Sequence, residues 1–350
     1  MSDLSTHSEQ TKILLVKLSS LGDVLHNLPI VWDLRVRLPN AQIDWVVEEG
    51  YVHLLTPLLS KDGFQGIDRI IPFGLRRWKK NLLRLSTWKE FFTFKKTLQE
   101  TSYDLIIETQ GLLKSAIVCS LAKKTPNAVI AGLANATEFS GYEPMARSFY
   151  NQSVQVPVQC HAVDRSRWVM CSALDWPLLE RTSAPQFYPD QYIQSLQLSD
   201  KTVAQQLAAP YVLCFHSTAR EAKRWPNSHW VALGKTLAAQ GYQVVLPWGN
   251  LAEQAVSKEI AAQIPNALVP PAFSIQDAFA IIAGAALTVG VDTGLTHLAA
   301  VLKKPTVEIY CDSPLWKTEG YWSSNIRNVG DIQKPPTVAQ VLQAATELLS

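Results

Sequence analysis

Five short segments of the sequence could carry chemistry, because in each one polar side chains come directly after an apolar, strand-like run. The first is Ser19–Asp23, which follows the run Ile13–Lys17. Gly22 can take backbone angles that other residues avoid, and Asp23 stands where a helix would begin. Asp23 is therefore either the cap of that helix or a carboxylate that acts as a general base. The turn lacks the G-x-G-x-x-G pattern, which argues against a nicotinamide dehydrogenase.

A second polar turn, Glu108–Ala116, follows another predicted strand and reads ETQGLLKSA. Gln110 and Gly111 form a tight turn, and Lys114 falls in the first turn of the next helix. These residues are either an ordinary turn with a surface lysine or the polar wall of an acceptor pocket.

The third segment, Phe215–Pro226, is rich in groups that bind anions. Its hydroxyls and cations are Ser217, Thr218, Arg220, Lys223 and Arg224. A lysine in such a loop is a suitable point charge for a phosphate. A solvated basic loop without function is the alternative.

Two further segments match the needs of a nucleotide. In Val289–Ala300 a buried strand runs into D-T-G and a helix starts at once, so that its first N–H groups could bind a phosphate. His297 in this segment, taken alone, is a core or capping histidine. In Pro247–Gln254, Glu253 is either a carboxylate for both ribose hydroxyls or a plain residue of a first helical turn.

A basic, aromatic stretch, Arg76–Lys96, holds eight Lys or Arg residues and one Glu, with Trp and Phe interleaved. Its partner is nucleic acid, an anionic membrane surface or an anionic acceptor, unless the stretch is a solvated helix with a core-facing aromatic side. The whole chain is nearly balanced, with 32 basic and 30 acidic residues. That balance gives no general reason to expect nucleic acid, and we expect none.

Alternating strands and helices must position these segments. Short β-rich runs alternate with amphipathic segments, which predicts an α/β fold of parallel sheets with crossover helices. The predicted strands are Ile13–Lys17, Ile43–Val47, Arg69–Pro72, Leu105–Glu108, Val129–Ala131, Tyr211–Phe215, Tyr242–Leu246, Ala267–Val269, Leu287–Val291 and Thr306–Ile309. The predicted helices include Val24–Arg37, Leu112–Ala122, His229–Gln240, Leu251–Ile264, Ile275–Gly284 and Val338–Leu348, with a capping box from Ser274 to Asp277.

The alternation becomes loose and polar between about 180 and 210, which predicts two domains joined by a linker. We place an N-terminal domain at 11–185, the linker at 186–210 and a C-terminal domain at 211–350. The last helix of the C-terminal domain could pack back on the N-terminal one. Two doubly wound domains bind ligands at the carboxyl ends of their strands, so we expect the chemistry in the cleft between the domains.

Composition restricts the class of protein further. The chain has 350 residues, of which 47% are hydrophobic and 18% charged, enough for two ordinary cores. Five scattered cysteines without C-x-x-C argue against a disulfide framework or a zinc site, and fit a reducing cytosol. The first ten residues are polar, and the longest apolar stretch, Ala278–Val291, is too short to span a bilayer. We therefore expect a soluble, cytoplasmic protein that is still able to lie on a membrane surface.

Taken together, six motifs in order along nearly the whole chain resemble the ADP-heptose:lipopolysaccharide heptosyltransferases. They are K-x-S-S-L-G-D-V-x-H-x-L-P at Lys17–Pro29, R-R-W-K-K at Arg76–Lys80, D-x-x-x-x-x-Q-G-L-x-K-S-A at Asp104–Ala116, K-R-W-P at Lys223–Pro226, P-W-G-x-x-x-E at Pro247–Glu253 and V-D-T-G-L-T-H-L at Val291–Leu298. Any one of these motifs is weak, but the series is specific.

The resemblance implies a GT-B fold, in which two Rossmann-like doubly wound domains face each other across a cleft and the C-terminal one holds the nucleotide sugar. It implies an inverting, metal-independent transfer of a heptose from ADP-heptose to a Kdo residue of the lipopolysaccharide inner core, without a cofactor. The acceptor would be a Kdo-containing lipid A. An anionic membrane surface is a further candidate partner, and we expect a monomer.

The resemblance also implies roles for single residues. Asp23 looks like the catalytic base, Lys223 like the lysine that holds the donor phosphates, and Glu253 like the ribose ligand. The donor-binding residues would be Thr218, Lys223, Glu253, Asp292, Thr293, Gly294 and His297. The acceptor-binding residues would be Ser20, Gly22, Arg76, Arg77, Lys79, Lys80, Gln110 and Lys114.

Two positions depart from the family pattern. Thr218 is followed by Ala219 where the family tends to have a second threonine, so one phosphate-directed hydroxyl is missing. Tyr142 stands before Glu143-Pro144 where the pattern suggests an arginine, which bears on recognition of the acceptor's charge.

The predicted mechanism is a single displacement. Asp23 would take a proton from the acceptor hydroxyl as that oxygen attacks the anomeric carbon, and one carboxylate without a second as nucleophile suits inversion. Lys223 and the helix start after Asp292 would stabilise the leaving diphosphate. The alternatives are a different sugar or acceptor in the same family, a nucleotide-sugar epimerase or hydrolase, and a binding protein without turnover.

Overall fold

Apolar runs rich in β-branched residues form two parallel sheets, one in each of two units, Met1–Gln186 and Phe187–Ser350. The computed structural model describes residues 10–61, 64–179, 184–198, 205–207 and 210–350. Strands of parallel sheets are covered by helices on both faces, which is why they are continuous apolar runs rather than alternating ones. The predicted α/β fold class is confirmed.

The strands of the first unit are β1 (Lys12–Val16), β2 (Gln42–Glu48), β3 (Arg69–Phe73), β4 (Tyr103–Glu108), β5 (Lys124–Leu133) and β6 (Gln152–Val154). They pair in the order β3-β2-β1-β4-β5-β6, with all neighbours parallel. The chain leaves β1 toward one edge and returns to the other side of β1 with β4. The order reverses between β1 and β4, and such a switch point is where open α/β sheets bind ligands.

Helices and short 3₁₀ turns connect these strands. The helices are α1 (Leu21–Leu25), α2 (Pro29–Arg37), α3 (Val52–Leu55), α4 (Leu75–Lys79), α5 (Leu85–Leu98), α6 (Leu113–Leu121) and α7 (Ala162–Ala173). The 3₁₀ turns are Glu49–Tyr51, Thr56–Leu58 and Pro144–Phe149.

The prediction of one helix over Val24–Arg37 is wrong, because the chain forms α1 and then α2. Pro29 has no N–H to donate to the preceding turn, so the hydrogen-bond series of α1 cannot continue through it. As the first residue of α2, the same proline is well placed, because its fixed φ suits a helix start.

The strands of the second unit are β7 (Tyr211–Phe215), β8 (Gln243–Val245), β9 (Leu287–Val291), β10 (Thr306–Tyr310) and β11 (Ile326–Gly330). They pair in the parallel order β11-β10-β9-β7-β8. The second switch point therefore lies between β7 and β9.

A strand predicted at Ala267–Val269 is not formed; Leu268 makes only an isolated bridge to Val245. The segment is bounded by Asn266, whose φ is 55°, and by two prolines, Pro270 and Pro271. Prolines cannot donate to a sheet ladder, so the segment cannot extend into a strand.

The helices of the second unit are α8 (Asp190–Gln194), α9 (Asn227–Ala239), α10 (Leu251–Ala261), α11 (Ile275–Gly284), α12 (Gly294–Val301), α13 (Leu315–Thr318) and α14 (Val338–Leu349), with a 3₁₀ turn at Glu221–Lys223. The predicted capping box of α11 is confirmed. Ser274 donates its hydroxyl proton to Asp277 at 2.7 Å, and the Asp277 N–H donates to the Ser274 hydroxyl at 3.2 Å.

Each sheet carries its own buried core. In the first unit the core includes Val16, Trp78, Phe94 and Ile106. In the second it includes Trp225, Trp230 and Val289, and three residues of α14: Val341, Ala344 and Ala345. The last helix thus packs on the sheet of its own unit.

The segment proposed as a linker, 186–210, is described only in part, since 199–204 and 208–209 lie outside the described residues. Phe187 and Tyr188 at its start are buried. The Phe187 ring lies 4.7 Å from that of Trp322, and the Tyr188 ring 5.2 Å from that of Phe279. These residues therefore belong to the packed structure of the second unit.

Candidate functional site

The turn after β1 brings Ser20 and Asp23 together. The Asp23 Oδ2 accepts hydrogen bonds from the Ser20 N–H at 2.9 Å and from the Ser20 hydroxyl at 2.8 Å. Gly22 between them accepts at its carbonyl from the His26 N–H at 2.9 Å. Asp23 is not the N-cap residue of a helix that begins at Val24, as predicted. The helix begins at Leu21 with Ser20 as its N-cap, and Asp23 is its third residue and completes a capping box with Ser20. Asp23 is partly exposed. A cap and a general base are compatible in one carboxylate, because capping uses one oxygen.

The turn after β4 is fastened to the turn after β1 by side chains. The Gln110 Oε1 accepts from the N–H groups of Leu18 and Ser19, both at 3.1 Å. Lys114 Nζ donates to the Ser19 hydroxyl at 2.8 Å. Because β1 and β4 are neighbours, five predicted site residues meet at the carboxyl ends of these two strands. They are Ser20, Gly22, Asp23, Gln110 and Lys114.

Other cations lie near Lys114. Burial lowers the pKa of Lys114, the charges of Arg76 and Lys79 lower it further, and Glu48 and Asp23 oppose the shift. Arg76 and Lys79 are therefore close enough to Lys114 to act on its charge. Arg76 also forms an ion pair with Glu48, at 2.6 Å. A group of cations beside the carboxylate of Asp23 suits an anionic acceptor that must give up a proton.

Arg77 of α4 and Lys80, which directly follows α4, are the other two basic residues predicted to bind the acceptor. Arg77 donates to both oxygens of Glu49, at 3.0 to 3.2 Å, and pairs with Glu90. These hydrogen bonds raise the pKa of Arg77. Arg77 therefore connects α4 to Glu49 and Glu90 and has a structural role. Lys80 is exposed and has no ion pair within the described ranges.

Two buried charged residues that sequence reasoning left out support the second turn. The Glu108 carboxylate accepts from the N–H groups of Gln110 at 2.8 Å and Gly111 at 3.0 Å, and from the Tyr150 hydroxyl at 2.6 Å. Arg165 donates to the Gln110 carbonyl at 3.4 Å. The signal in the sequence was a glutamate closing an apolar strand; Arg165, inside a helix, gave none.

Tyr142, one of the two departures, packs on this same turn. Its hydroxyl donates to the Ala134 carbonyl at 2.8 Å. Its ring carbon Cδ2 lies 3.3 Å from the place where a side chain on Gly111 would begin. The neighbouring Glu143 accepts from the Leu113 N–H at 2.5 Å. The departure therefore lies at the edge that carries the predicted acceptor residues.

In the second unit, a row of alternating charges connects the loop after β7 with β9 and β10. Lys223 Nζ lies 2.5 Å from Asp292 Oδ2. Asp292 Oδ1 lies 2.8 Å from His297 Nε2, and His297 Nδ1 lies 3.0 Å from Glu308 Oε1. Asp292, His297 and Glu308 are buried, so their charges are compensated mainly by one another.

The geometry fixes the protonation of His297. A carboxylate oxygen only accepts hydrogen bonds, so a ring with a carboxylate at each nitrogen carries a proton on both. Burial alone would lower the pKa of His297, but the charge of Glu308 and the hydrogen bonds to Asp292 and Glu308 raise it to about 9. Burial tends to raise the pKa of Asp292, yet His297 and Lys223 outweigh burial and hold it well below its usual range.

The predicted phosphate loop lies beside this row. Thr293 is the N-cap residue of α12 and Gly294 its first residue. Thr218, in the loop after β7, is nearly buried. Since β7 and β9 are neighbours, the structure brings Lys223, Asp292 and His297 together, with Thr293 and Gly294 next to them in the chain.

His216, which directly follows β7, connects the loop after β7 to α10 by hydrogen bonds. His216 Nε2 lies 2.8 Å from the Ser257 hydroxyl, and its Nδ1 lies 3.0 Å from the Ser217 hydroxyl. Burial lowers the pKa of His216 to about 4, with help from the charge of Arg224. His216 is therefore neutral at physiological pH and serves as a hydrogen-bonding anchor.

Glu253 lies in the first turn of α10, and both of its oxygens accept hydrogen bonds from neighbours. The Gly249 N–H donates to Oε2 at 2.8 Å, and the Asn250 side-chain amide donates to Oε1 at 2.7 Å. The hydrogen bonds position this carboxylate at the carboxyl end of β8. A ribose would have to share or replace them.

Glu308 is the main residue of the second unit that sequence reasoning missed. It accepts from the Tyr310 hydroxyl at 3.1 Å and the Gly320 N–H at 2.9 Å, in addition to His297. Thr318 adds a contact of 3.4 Å to Asp292. A single acid inside the apolar strand TVEIY was the available signal.

Over the described ranges, no group of three or more His, Cys, Asp or Glu residues is arranged to hold a metal ion. None of the helices described there has both the length and the apolar character needed to cross a membrane. All five cysteines are buried and unpaired with one another.

Known proteins share this architecture along nearly the full chain. The solved structure of Escherichia coli heptosyltransferase WaaC with ADP matches with a TM-score of 0.78 and 30% identity, over 97% of this chain and 100% of that one. The same enzyme with ADP-2-deoxy-2-fluoro heptose matches with a TM-score of 0.75 and 32% identity, over 96% and 99%. The fold is therefore that of a GT-B glycosyltransferase.

The sequence comparisons define the family. Residues 91–345 match glycosyltransferase family 9 (heptosyltransferase). Lipopolysaccharide heptosyltransferase 1 of Pseudomonas aeruginosa is 38% identical over 325 residues, which are 93% of this chain and 85% of that protein. The chain belongs to glycosyltransferase family 9, and the predicted family is confirmed.

Proposed function

We propose that this protein transfers a heptose from ADP-heptose to a Kdo residue of the lipopolysaccharide inner core, with inversion and without a metal ion. The observation that carries the proposal is the 38% identity over 93% of the chain to a protein named lipopolysaccharide heptosyltransferase 1. The two switch points support the proposal. The one between β1 and β4 presents the Asp23 carboxylate near cations, and the one between β7 and β9 presents Lys223 near the start of α12.

Asp23 is the proposed general base. Its partner Ser20 fixes the carboxylate at the end of β1. Lys79 and Lys114 provide charge for an anionic acceptor, and Arg76 would do so by sharing its ion pair with Glu48. A positioned base of this kind contributes roughly 10²–10⁴-fold to a rate.

Inversion is supported by the other two carboxylates at this end of the sheet, Glu48 and Glu108. Glu48 is buried and forms an ion pair with Arg76 at 2.6 Å. Glu108 at the end of β4 is fully buried and accepts from two backbone N–H groups and Tyr150. It is therefore engaged in holding the turn rather than placed as a nucleophile, as a double displacement would require. The stereochemistry is tested by the anomeric configuration of the product in an NMR spectrum.

The donor is proposed to bind at the second switch point. Lys223 would turn from Asp292 toward the diphosphate, and the N–H groups that open α12 at Gly294 would add fixed donors. Glu253 would take the ribose, and Thr218 a phosphate oxygen. With these donors in place the leaving group needs no metal for charge compensation, so EDTA should leave the rate unchanged.

The lipid-borne acceptor also defines where the protein works. We infer a monomeric cytoplasmic enzyme that acts on Kdo-containing lipid A at the periphery of the inner membrane. The excess of basic side chains on and after α4 supports this location, because anionic lipids attract such segments.

Release of ADP from ADP-heptose, with and without Kdo-containing lipid A, tests the proposal in the wild type and in Asp23→Asn. Asp277→Asn is a matched control, because Asp277 also forms a capping box with a serine three residues before it. We expect acceptor-dependent release that falls by about 10²–10⁴-fold in Asp23→Asn and stays near wild type in Asp277→Asn.

Other outcomes would contradict parts of the proposal. Release without acceptor would indicate a hydrolase or epimerase. If Asp23→Asn released ADP at a rate within a few-fold of wild type, Asp23 would not be the general base. ADP binding without any release would indicate a binding protein, or a sugar and acceptor other than those proposed.

A further inference from the structure

Five of the twelve large apolar side chains that the described chain exposes lie within eleven residues. Their exposed fractions are 55% for Leu82, 101% for Leu83, 88% for Leu85, 50% for Trp88 and 59% for Phe92. We call these five residues the apolar ridge. Single exposed apolar residues are normal, but a contiguous group of this size usually marks a binding surface.

The ridge is built on a well-anchored part of the fold. Trp78 of α4 and Phe94 of α5 are buried, and their rings lie 5.8 Å apart. Between the two helices, the Thr87 hydroxyl donates to the Asn81 carbonyl at 2.8 Å, and the Trp88 indole donates to the Leu82 carbonyl at 3.0 Å. The turn that presents the leucines is thus held by its own side chains.

The helix α5 carries two apolar stripes. Thr87, Phe94 and Leu98 are buried and recur at intervals of seven and four, so they form the core-facing stripe. Leu85, Trp88 and Phe92 recur at intervals of three and four and form a second stripe that is exposed. A helix that packs only against its own sheet needs one stripe, so the second requires another explanation.

Unpaired cations surround the ridge. Lys79, Lys80, Arg84 and Lys89 are exposed, and no described residue forms an ion pair with any of them. The one acid of the stretch, Glu90, is taken by Arg77 and by the Trp78 indole, which donates to it at 2.9 Å. The surface is therefore apolar and positive at the same time.

We propose that the apolar ridge inserts into the boundary between headgroups and acyl chains of an anionic lipid bilayer, with the surrounding lysines and arginine on lipid phosphates. Leucine and aromatic side chains beside basic ones are the composition of interfacial segments. A nucleic-acid site would present aromatic rings that stack on bases, whereas three of the five ridge residues are leucines. A neutral protein partner would not explain the unpaired positive charge around the ridge.

The ridge directly follows α4, which carries Arg76 and Lys79 next to Lys114. Docking at the ridge would hold these proposed acceptor cations at the depth of lipid headgroups. The inference rests on the proposed function for its purpose, whereas the docking itself is measured without donor or acceptor.

Sedimentation with vesicles of phosphatidylcholine alone, or with a third phosphatidylglycerol, tests the docking. We expect the wild type to bind only the anionic vesicles. Leu83→Glu/Leu85→Glu should weaken this binding by about 100-fold, since burying one leucine is worth roughly tenfold or more. Arg84→Gln/Lys89→Gln should weaken it by about tenfold or more, because each basic residue near an anionic surface contributes about 1 kcal/mol.

Val36→Glu/Val158→Glu is the matched control, because these two valines are exposed by 81% and 55% but lie outside the ridge. It should bind vesicles almost as the wild type does. An unchanged melting temperature and unchanged ADP binding in each variant would show that the fold is intact. Quenching of Trp88 by lipids with brominated chains, taken as the difference from Trp88→Phe, should show that the ridge reaches the acyl chains.

The proposal is overturned if the wild type does not bind anionic vesicles, or if the valine control loses as much binding as the leucine variant. Binding to single-stranded RNA that depends on the ridge and exceeds vesicle binding would assign it to nucleic acid. Self-association abolished by Leu83→Glu/Leu85→Glu, without vesicle binding, would assign it to a second copy of the chain.

The docking and the proposed function fail separately. A water-soluble Kdo-containing acceptor without lipid chains needs no docking. Transfer to it should survive Leu83→Glu/Leu85→Glu, while transfer to acceptor in vesicles should fall. Vesicle binding by a wild type that transfers nothing would leave the docking intact and remove the proposed function.

Discussion

Replacing Glu308 by glutamine should change the charge of His297 without a large change of shape. In the wild type, His297 lies between Asp292 at 2.8 Å and Glu308 at 3.0 Å, and both contacts require a protonated ring. Lys223 faces the same row from the loop after β7, and Tyr310 faces it from β10. Glutamine can still accept from His297, but it no longer supplies the negative charge that favours the imidazolium.

The size of the effect follows from the pKa of His297. Its pKa is about 9 in the fold against an ordinary value of 6.5, and a difference of this size corresponds to roughly 3 kcal/mol. Because the folded pKa is the higher one, this stabilisation is complete below about pH 6.5 and is lost as the pH rises through about 9. In Glu308→Gln, burial remains and the charge of Glu308 is gone, while Asp292 still favours the charged ring. The pKa of His297 should therefore fall from about 9 toward 6.5.

Two assays check the prediction. Imidazole ¹⁵N NMR should show protons on both ring nitrogens of His297 at pH 7.5 in the wild type, and a neutral ring in Glu308→Gln. The free energy of unfolding in urea should differ between the two proteins at pH 6.5, and the gap should narrow by about 2–3 kcal/mol toward pH 9.5.

Tyr310→Phe is the control, because it removes one hydrogen bond to Glu308 and keeps the charge. It should lower the stability by a similar amount at every pH and leave His297 protonated at pH 7.5. A wild-type His297 that titrates at or below 6.5, or a Glu308→Gln protein whose His297 still titrates near 9, would refute the reasoning.

Two further predictions concern the two switch points. Lys223→Met should weaken ADP binding by about 10- to 100-fold, since a hydrogen bond to a charged group is worth roughly 1.5–3 kcal/mol. An unchanged affinity for ADP, measured by calorimetry, would exclude Lys223 as a phosphate ligand. Gly111→Ala should lower the free energy of unfolding by about 2 kcal/mol or more, because φ is +75° and the new carbon would lie 2.9 Å from Leu133. Gly241→Ala has a similar φ of +91° but open space, so thermal unfolding should show a smaller loss of about 1 kcal/mol; equal losses would contradict the role assigned to Leu133.

Much of the fold was predictable because its rules are local. Continuous apolar strands followed by amphipathic helices predict parallel sheets, and strands such as Leu287–Val291 were found with the predicted bounds. The failures were local as well. Pro29 divides one predicted helix into two, and the prolines after Val269 prevent a predicted strand. The edge strands β6 and β11 were not predicted, because β6 has only three residues and β11 contains Arg327 and Asn328 instead of a continuous apolar run.

The candidate site shows the same division. Asp23, Gln110 and Asp292 could be found from sequence because each lies just after a strand, and the carboxyl ends of parallel strands are where such folds bind ligands. Glu108 and Glu308 could not be assigned, because an acid within a strand reveals its role only through the groups that surround it.

The sequence by itself determined the family, the two parallel sheets and the turns that carry polar side chains, because those depend on the order of residue types along the chain. Only the tertiary structure decided that Lys223 meets Asp292 and that Glu308 keeps His297 charged, because these contacts depend on which strands become neighbours. It also decided that one apolar stripe of α5 enters the core while the other stays exposed. Both stripes have helical periodicity, and only packing distinguishes them.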